Sequence, residues 1–406
     1  MGLWQPRGRA AQRVNALLAS LTLGSLCFMA LCVTLKLCAD TPQEIEQLTL
    51  CTLVASICVG FICKTALFVI QGDTLQQTVR LLEDTSEQFC TGDHNRLTRR
   101  RYLRLSNNVY YYCQMVAVPA AILTNTDDEE QQLPWQLPLP AWFPGDIYET
   151  PHFQILYVVH SFCVLVAVQS CLSIDIFFVH MMLMVAAELD VLNCNLAAMD
   201  HITVQTTRNE EERFIPRYKR NGRRLPLLNS GQSLAEQTLS QDTAHKDLNQ
   251  QLLNNVLHHQ AILRSVSLLQ SAMNVSTFTL LFVNMANLCS SLFVAGVLLQ
   301  KEGNVGKALN ALFSIPALLY ETIIYCIYGH IMTDQSERLV YSAFSSGWVN
   351  SDPGFKRSML IFMMVTVRPM AITVGKTCRL SKQMLLQVLN GTYALLNMLY
   401  HVHRSE

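Results

Sequence analysis

Residues 368–400 read RPMAITVGKTCRLSKQMLLQVLNGTYALLNMLY. A polar lead-in carrying Thr373, Gly375, Lys376, Arg379 and Lys382 runs into 383–400, which is apolar enough to enter a bilayer yet holds Gln387, Asn390, Thr392 and Asn397. An uncompensated amide in hydrocarbon is costly, so polar residues on a membrane helix face a bundle interior or water. Gln387, Asn390 and Asn397 are spaced to fall close to one face of a helix. That spacing fits a pore, and it fits helix packing through hydrogen-bonded amides equally well.

The rest of the chain supports a membrane setting. Of its 406 residues 50% are hydrophobic and only 15% charged, too apolar for an ordinary soluble domain of this length. The first apolar run, 16–37, is too long for a signal-peptide core and shows no small-residue cleavage site, so it is expected to be a membrane helix. Further spans are expected at 48–70, 105–124, 153–179, 273–298, 308–330 and 383–400, which makes seven. Most of the 14 cysteines sit inside apolar runs, where they behave as small hydrophobes, and no pair has metal-ligand spacing. No metal or cofactor is expected.

Charge fixes the orientation. Arg7, Arg9 and Arg13 precede the first span, and the loop after it holds Asp40, Glu44 and Glu46 without a basic residue. The second loop is basic (Arg80, Arg96, Arg99, Arg100, Arg101, Arg104), and the third, 124–151, has no Lys or Arg and an acidic run at 127–130. The fourth is basic again (Arg208, Arg213, Arg217, Lys219, Arg220, Arg223, Arg224), as is the sixth (Arg338, Lys356, Arg357). Basic residues accumulate on the cytoplasmic side. The N-terminus and loops two, four and six are therefore cytoplasmic, and the C-terminus is extracellular. A G-protein-coupled receptor has the opposite order, and the Arg101-Tyr102-Leu103-Arg104 stretch lacks an Asp/Glu-Arg-Tyr arrangement. The sequons at Asn274 and Asn390 fall at or within membrane helices and are expected to stay unmodified.

Helical character outlasts the membrane on the cytoplasmic side. It continues past the fourth span through 177–199, resumes at 248–269 with Leu252, Val256, Leu263 and Val266 on one side, and recurs at 336–344 and 356–366. A packed cytoplasmic bundle is expected, with 205–247 as a flexible linker and 355–379 as a helix and lead-in to the last span. His180, His258 and His259 are expected to be hydrogen-bonded structural groups. Lys64 and Asp175 are ionisable residues inside expected spans, at a cost of about 2.5 to 3.5 kcal/mol at a helix centre. Snorkelling toward the cytoplasmic face is the expected outcome, with a salt bridge or a wet cavity as alternatives. The prolines and aromatics of 133–144 suggest a structured extracellular lid or an interfacial anchor.

Four stretches in this order bring a family into view: LPWQLPLPAWFPGDIYETPHFQILY (133–157), LHHQAIL (257–263), YCIYGHIMTDQSERLVYSAFSSGW (325–348) and the final 368–399 segment. Together they resemble the insect odorant receptors, seven-helix ligand-gated cation channel subunits. The related gustatory receptors typically end in Thr-Tyr, five hydrophobics and Gln-Phe. Here Thr392-Tyr393 is followed after five residues by Leu399-Tyr400, which favours the odorant branch. The linker between spans four and five is shorter than in the odorant co-receptor, as in a ligand-tuned subunit.

The resemblance implies an all-α membrane protein whose cytoplasmic extensions form an anchor bundle, joined with the co-receptor in a heterotetramer around one pore. It places the gate at Leu396 and Leu399, with Thr392 nearby, where an apolar ring excludes ions by dewetting. It places the ligand within the outer half of each subunit's bundle. Candidates there are Phe68, Tyr111, Met115, Tyr157, His160, Ser161, Val164, Phe313 and Tyr320, a mostly apolar set with a few hydroxyls that suits a small hydrophobic volatile. Permeant cations and membrane lipid are the other expected partners, with no nucleic acid. The expected location is the plasma membrane of olfactory neuron dendrites. A transporter or membrane enzyme is the remaining alternative, and no phosphate loop, metal cluster or nucleophile with a partnered base supports it.

Overall fold

A computed structural model describes residues 9–39, 45–89, 92–123, 141–142, 152–214, 230–301, 305–312, 315–375 and 378–405. The helices are α1 (Arg9–Ala39), α2 (Ile45–Ile70), α3 (Gly72–Gln88), α4 (Asp93–Leu123), α5 (His152–Phe214), α6 (Ser230–Lys301), α7 (Val305–Leu312), α8 (Ile315–Phe344), α9 (Pro353–Thr366) and α10 (Lys382–Ser405). Two short strands, β1 (Thr373–Val374) and β2 (Cys378–Arg379), pair antiparallel between α9 and α10.

Among the described residues, five segments are long and apolar enough to cross a membrane: Ala16–Ala39, Gln47–Ile70, His152–Met199, Lys246–Gln300 and Ile315–Phe344. With α4 and α10, whose polar side chains keep them out of that set, the seven expected helices occur in the expected order. The sixth expected segment, 308–330, is divided between two helices, because α7 ends at Leu312 and α8 starts at Ile315. Pro316 lies in the first turn of α8, where its missing N–H costs nothing.

α5 and α6 have 63 and 72 residues. At 1.5 Å per residue, about 20 residues cross the hydrocarbon, so both helices project far beyond it. They also run into the stretch expected as linker, α5 to Phe214 and α6 from Ser230. The segment 181–192 (MMLMVAAELDVL), apolar except at Glu188 and Asp190, is the core of the anchor bundle. Met182, Val185, Ala186, Ala187, Leu189, Val191 and Leu192 are all fully buried. Around it pack α3, α4, α6 and α8. On α6, Leu252 and Val266 are buried as expected, whereas Leu263 is 38% exposed and Ile262 takes the buried place.

One carboxylate lies at the centre of this anchor. Glu188 is fully buried and accepts from Arg99 in a two-pronged pair, Nε to Oε1 at 2.8 Å and Nη2 to Oε2 at 2.7 Å, and from His258 Nε2 at 3.0 Å. It ties α4, α5 and α6 together beyond the membrane. Burial alone would raise its pKa, but the hydrogen bonds and charges of His258 and Arg99 outweigh burial and hold it below the ordinary carboxylate value. A depressed carboxyl stabilises the fold above its unfolded pKa, and that contribution is lost as pH falls through the folded value. The three histidines expected to be structural are engaged: His258 also stacks on Phe89, His259 meets Phe362 edge to face, and His180 Nδ1 lies 2.8 Å from Ser106 Oγ.

The polar lead-in to the last helix is a clamped hairpin. The Gln270 side chain of α6 donates to Thr373 O and accepts from Thr373 N, as a neighbouring strand would. Ser336 Oγ of α8 accepts from Met370 N at 2.8 Å, and Leu380 N donates to Ile372 O at 2.8 Å. Leu380 is fully buried against Gly329 of α8, where an added Cβ would lie 2.6 Å from Leu380 Cβ. Thus α10 starts from a point fixed to both α6 and α8.

Removing the carboxylate in Glu188→Ala leaves Arg99 buried without a partner, so the chain is expected to lose about 3 to 5 kcal/mol of stability. Gly329→Ala is expected to displace the hairpin. Thermal unfolding of the detergent-purified protein checks both, and midpoints equal to wild type would contradict the assigned roles.

Candidate functional site

The membrane half of the bundle contains a buried polar cluster joining four helices. Lys64 of α2 is 3% exposed and pairs with Asp175 of α5 and, at 2.9 Å, with Glu321 of α8. Cys171 Sγ lies 3.2 Å from the same ammonium. Tyr325 Oη donates to Asp175 Oδ1 at 2.6 Å, and Asn284 Nδ2 of α6 donates to Glu321 Oε2 at 3.3 Å. Lys64 therefore does not snorkel, contrary to the expectation from the sequence, and the alternative of a salt bridge holds. Its head is held by two carboxylates, and in hydrocarbon that pairing outweighs extension of the stem. Cys171, Asp175 and Glu321 converge as metal ligands would, but the ammonium of Lys64 fills the position between them.

Sequence reasoning missed Glu321. It is an ionisable residue in the middle of the sixth expected span, and it was legible by the same argument that singled out Lys64 and Asp175. Asn284 and Tyr325 carry no sequence signal separating them from other polar residues on membrane helices.

The ligand candidates divide by position. Phe68 is buried in edge-to-face contact with Phe177 and Phe178, with centroids 5.3 and 6.0 Å away. Tyr320 packs against the main core with its hydroxyl 2.6 Å from Cys113 Sγ. Val164 packs with a separate cluster containing Met29, Val33 and Cys163. Tyr157 lies beside Phe153, centroids 6.1 Å apart. Tyr111 and Met115 lie on the outer side of α4, 66% and 75% exposed, so the chain's own bundle does not enclose them. Phe313 and most of the expected lid, 133–144, lie outside the described residues; of that lid, Trp142 N donates to Cys32 O at 3.4 Å.

His160 is the exception among the candidates. It is fully buried, and among the described residues neither ring nitrogen has a hydrogen-bond partner. The neighbouring Ser161 Oγ is likewise buried without one. Orphaned polar atoms in an apolar interior are costly unless something fills them.

The last helix packs on one face only. Met384, Val388 and Thr392 are buried against the bundle, and Thr392 Oγ1 donates back to Val388 O at 2.9 Å. Thr392 thus belongs to the face that packs on the chain's own bundle. Gly391 lets α10 approach Met285 of α6, and Tyr400 lies over Gly296 with its ring 5.6 Å from Phe293. The opposite face carries Gln387, Asn390, Tyr393 and Asn397, all exposed in the single chain, and Leu396 is half-buried at its edge. The backbone of Leu399 continues the helix, and its side chain lies outside the described residues.

Comparisons with known proteins agree with this architecture. The structure is similar to the insect olfactory receptor OR5 from Machilis hrabei in complex with eugenol, at a TM-score of 0.72 and 14% identity, covering 99% of this chain and 94% of that one. Odorant receptor 33a of Drosophila melanogaster is 29% identical over 124 residues, 30% of this chain and 32% of that protein. Odorant receptor 2a of the same organism is 23% identical over 266 residues, 65% of this chain and 59% of that protein. These alignments span only part of the curated relatives' lengths. The family model described as 7tm Odorant receptor matches residues 44–393. A multi-pass, all-α membrane protein with that match over most of its length belongs to the 7tm odorant receptor family.

Proposed function

We propose that the chain is an odorant-tuned subunit of a ligand-gated, poorly selective cation channel, assembled with the odorant co-receptor as a heterotetramer in the plasma membrane of olfactory neuron dendrites. The observation that carries the channel reading is the one-sided packing of α10. Its amide face is exposed in the single chain, and in a bilayer amides need partners from neighbouring subunits or from water. Four such helices around one axis supply both. Leu396 at the edge of that face forms the apolar constriction that closes the pore. Leu399, the second expected gate position, is seven residues after Thr392 and by helical register falls on the Thr392 side, so it contributes to the ring only with a rotation of α10.

The ligand is a small hydrophobic volatile held in the outer half of the bundle. The orphaned nitrogens of His160 and the hydroxyl of Ser161 support this reading, because a ligand carbonyl would accept from the imidazole N–H or the Ser161 hydroxyl and a ligand hydroxyl could also donate to the other ring nitrogen. Eugenol, bound by the Machilis receptor, has that chemistry. Phe68, Tyr157, Val164 and Tyr320 supply the surrounding apolar and aromatic surface. Tyr111, Met115 and Phe313 remain in the proposed set, the first two where a neighbouring helix or lipid covers α4.

Replacing the imidazole by an apolar ring of similar size, His160→Phe, removes the polar contact and keeps the volume. The half-maximal concentration for an oxygen-bearing activator is expected to rise about tenfold, with a smaller change for a purely hydrocarbon one. Equal responses to both in mutant and wild type would remove His160 from recognition. In cells expressing the chain with the co-receptor, Leu396→Ala is expected to raise resting current or alter block. Unchanged conductance and gating would move the constriction elsewhere. Absence of any volatile-evoked current dependent on this chain would overturn the receptor reading itself.

A further inference from the structure

A cavity lies between α2, α6 and α8, and His160 is not among its lining residues. It has a volume of about 130 Å³ and is lined by Ile57, Gly60 and Phe61 of α2, Leu280 and Asn284 of α6, and Glu321 of α8, among others. The wall is apolar except at Glu321 and Asn284. Glu321 is also the outermost member of the buried ionic cluster: its side chain is 17% exposed, while those of Lys64 and Asp175 are 3% and 4%.

The cluster holds two carboxyl groups, Asp175 and Glu321, and of the ion pairs described Lys64 supplies the single ammonium that reaches them. Of the two, Glu321 is the one that borders the cavity. A carboxylate has about four lone-pair positions. Glu321 accepts at Oε1 from Lys64 and, at 3.9 Å, from Cys171 Sγ, and at Oε2 from Asn284, so a further donor at the cavity wall would meet Oε2.

We propose that this cavity binds a small aliphatic amine as its ammonium ion, with the alkyl chain against Ile57, Phe61 and Leu280 and the charged head on Glu321. The site is built for that head group, since the same carboxylates already hold the primary ammonium of Lys64. A bound amine would share Glu321 with Lys64 and so weaken the contact between α2 and α8. An alcohol of equal size would fill the cavity without meeting the charge. Gly60 keeps the space open: a Cβ there would reach Val283 at an ordinary 3.8 Å, and larger side chains would occupy the cavity.

The binding claim stands apart from the channel reading, which it needs only for its current readout. The test compares n-butylamine with 1-butanol on the full-length, detergent-purified chain, following the thermal unfolding midpoint. Butylamine is expected to raise the midpoint in a saturable way, with an affinity at least tenfold above that of butanol. Glu321→Gln is expected to abolish the difference. Gly60→Val leaves the ionic cluster intact and is expected to abolish butylamine binding by filling the cavity, which keeps the test decisive if Glu321→Gln fails to fold. No saturable shift with butylamine, or equal affinity for the two probes, overturns the proposal. Binding by the purified chain without any volatile-evoked current in cells would contradict the receptor reading while supporting the amine site, and the reverse pattern would do the opposite.

Discussion

A polar side chain at membrane depth has to find its partner within the protein, a ligand or a water-filled path, because the hydrocarbon offers none. Three parts of this chain answer that constraint differently. Lys64, Asp175, Glu321, Tyr325 and Asn284 satisfy one another and join α2, α5, α6 and α8. His160 and Ser161 are satisfied by nothing in the described chain. The amides of α10 point away from the bundle altogether. The first arrangement is structural, the second suits a ligand, and the third suits other subunits and a pore.

These parts are mechanically connected. The hairpin before α10 is held to α6 by Gln270 and to α8 by Ser336 and by the close fit of Leu380 on Gly329. α8 also carries Glu321, so a change in the helix packing around the ionic cluster acts on the same helix that positions the start of α10. Below the membrane the Arg99–Glu188–His258 group fixes α4, α5 and α6 to one another.

Helix order and the cytoplasmic extensions were legible in the sequence, because long apolar runs and alternating loop charge follow directly from bilayer thickness and membrane insertion. Other features were not. The sixth expected span is shared between α7 and α8, with Pro316 in the first turn of α8, and its length and apolar character alone did not show where one ends and the other starts. The hairpin at 373–379 rests on Gln270, about a hundred residues earlier, through contacts that no local pattern encodes. Spacing put Gln387, Asn390 and Asn397 on one face of α10, but only packing shows that this is the exposed face and that Thr392 lies on the other. Glu321 was visible and passed over, and snorkelling by Lys64 was expected only because its partners were still unplaced.

The central claim is that the amide face of α10 meets the conduction path and the Val388–Thr392 face does not. A cysteine-accessibility scan of α10 in cells co-expressing the co-receptor measures this directly. Gln387→Cys and Asn390→Cys should react with a water-soluble thiol reagent and change the odorant-evoked current, while Val388→Cys and Thr392→Cys should be inert. Modification confined to positions 388 and 392, with 387 and 390 silent, would contradict the account.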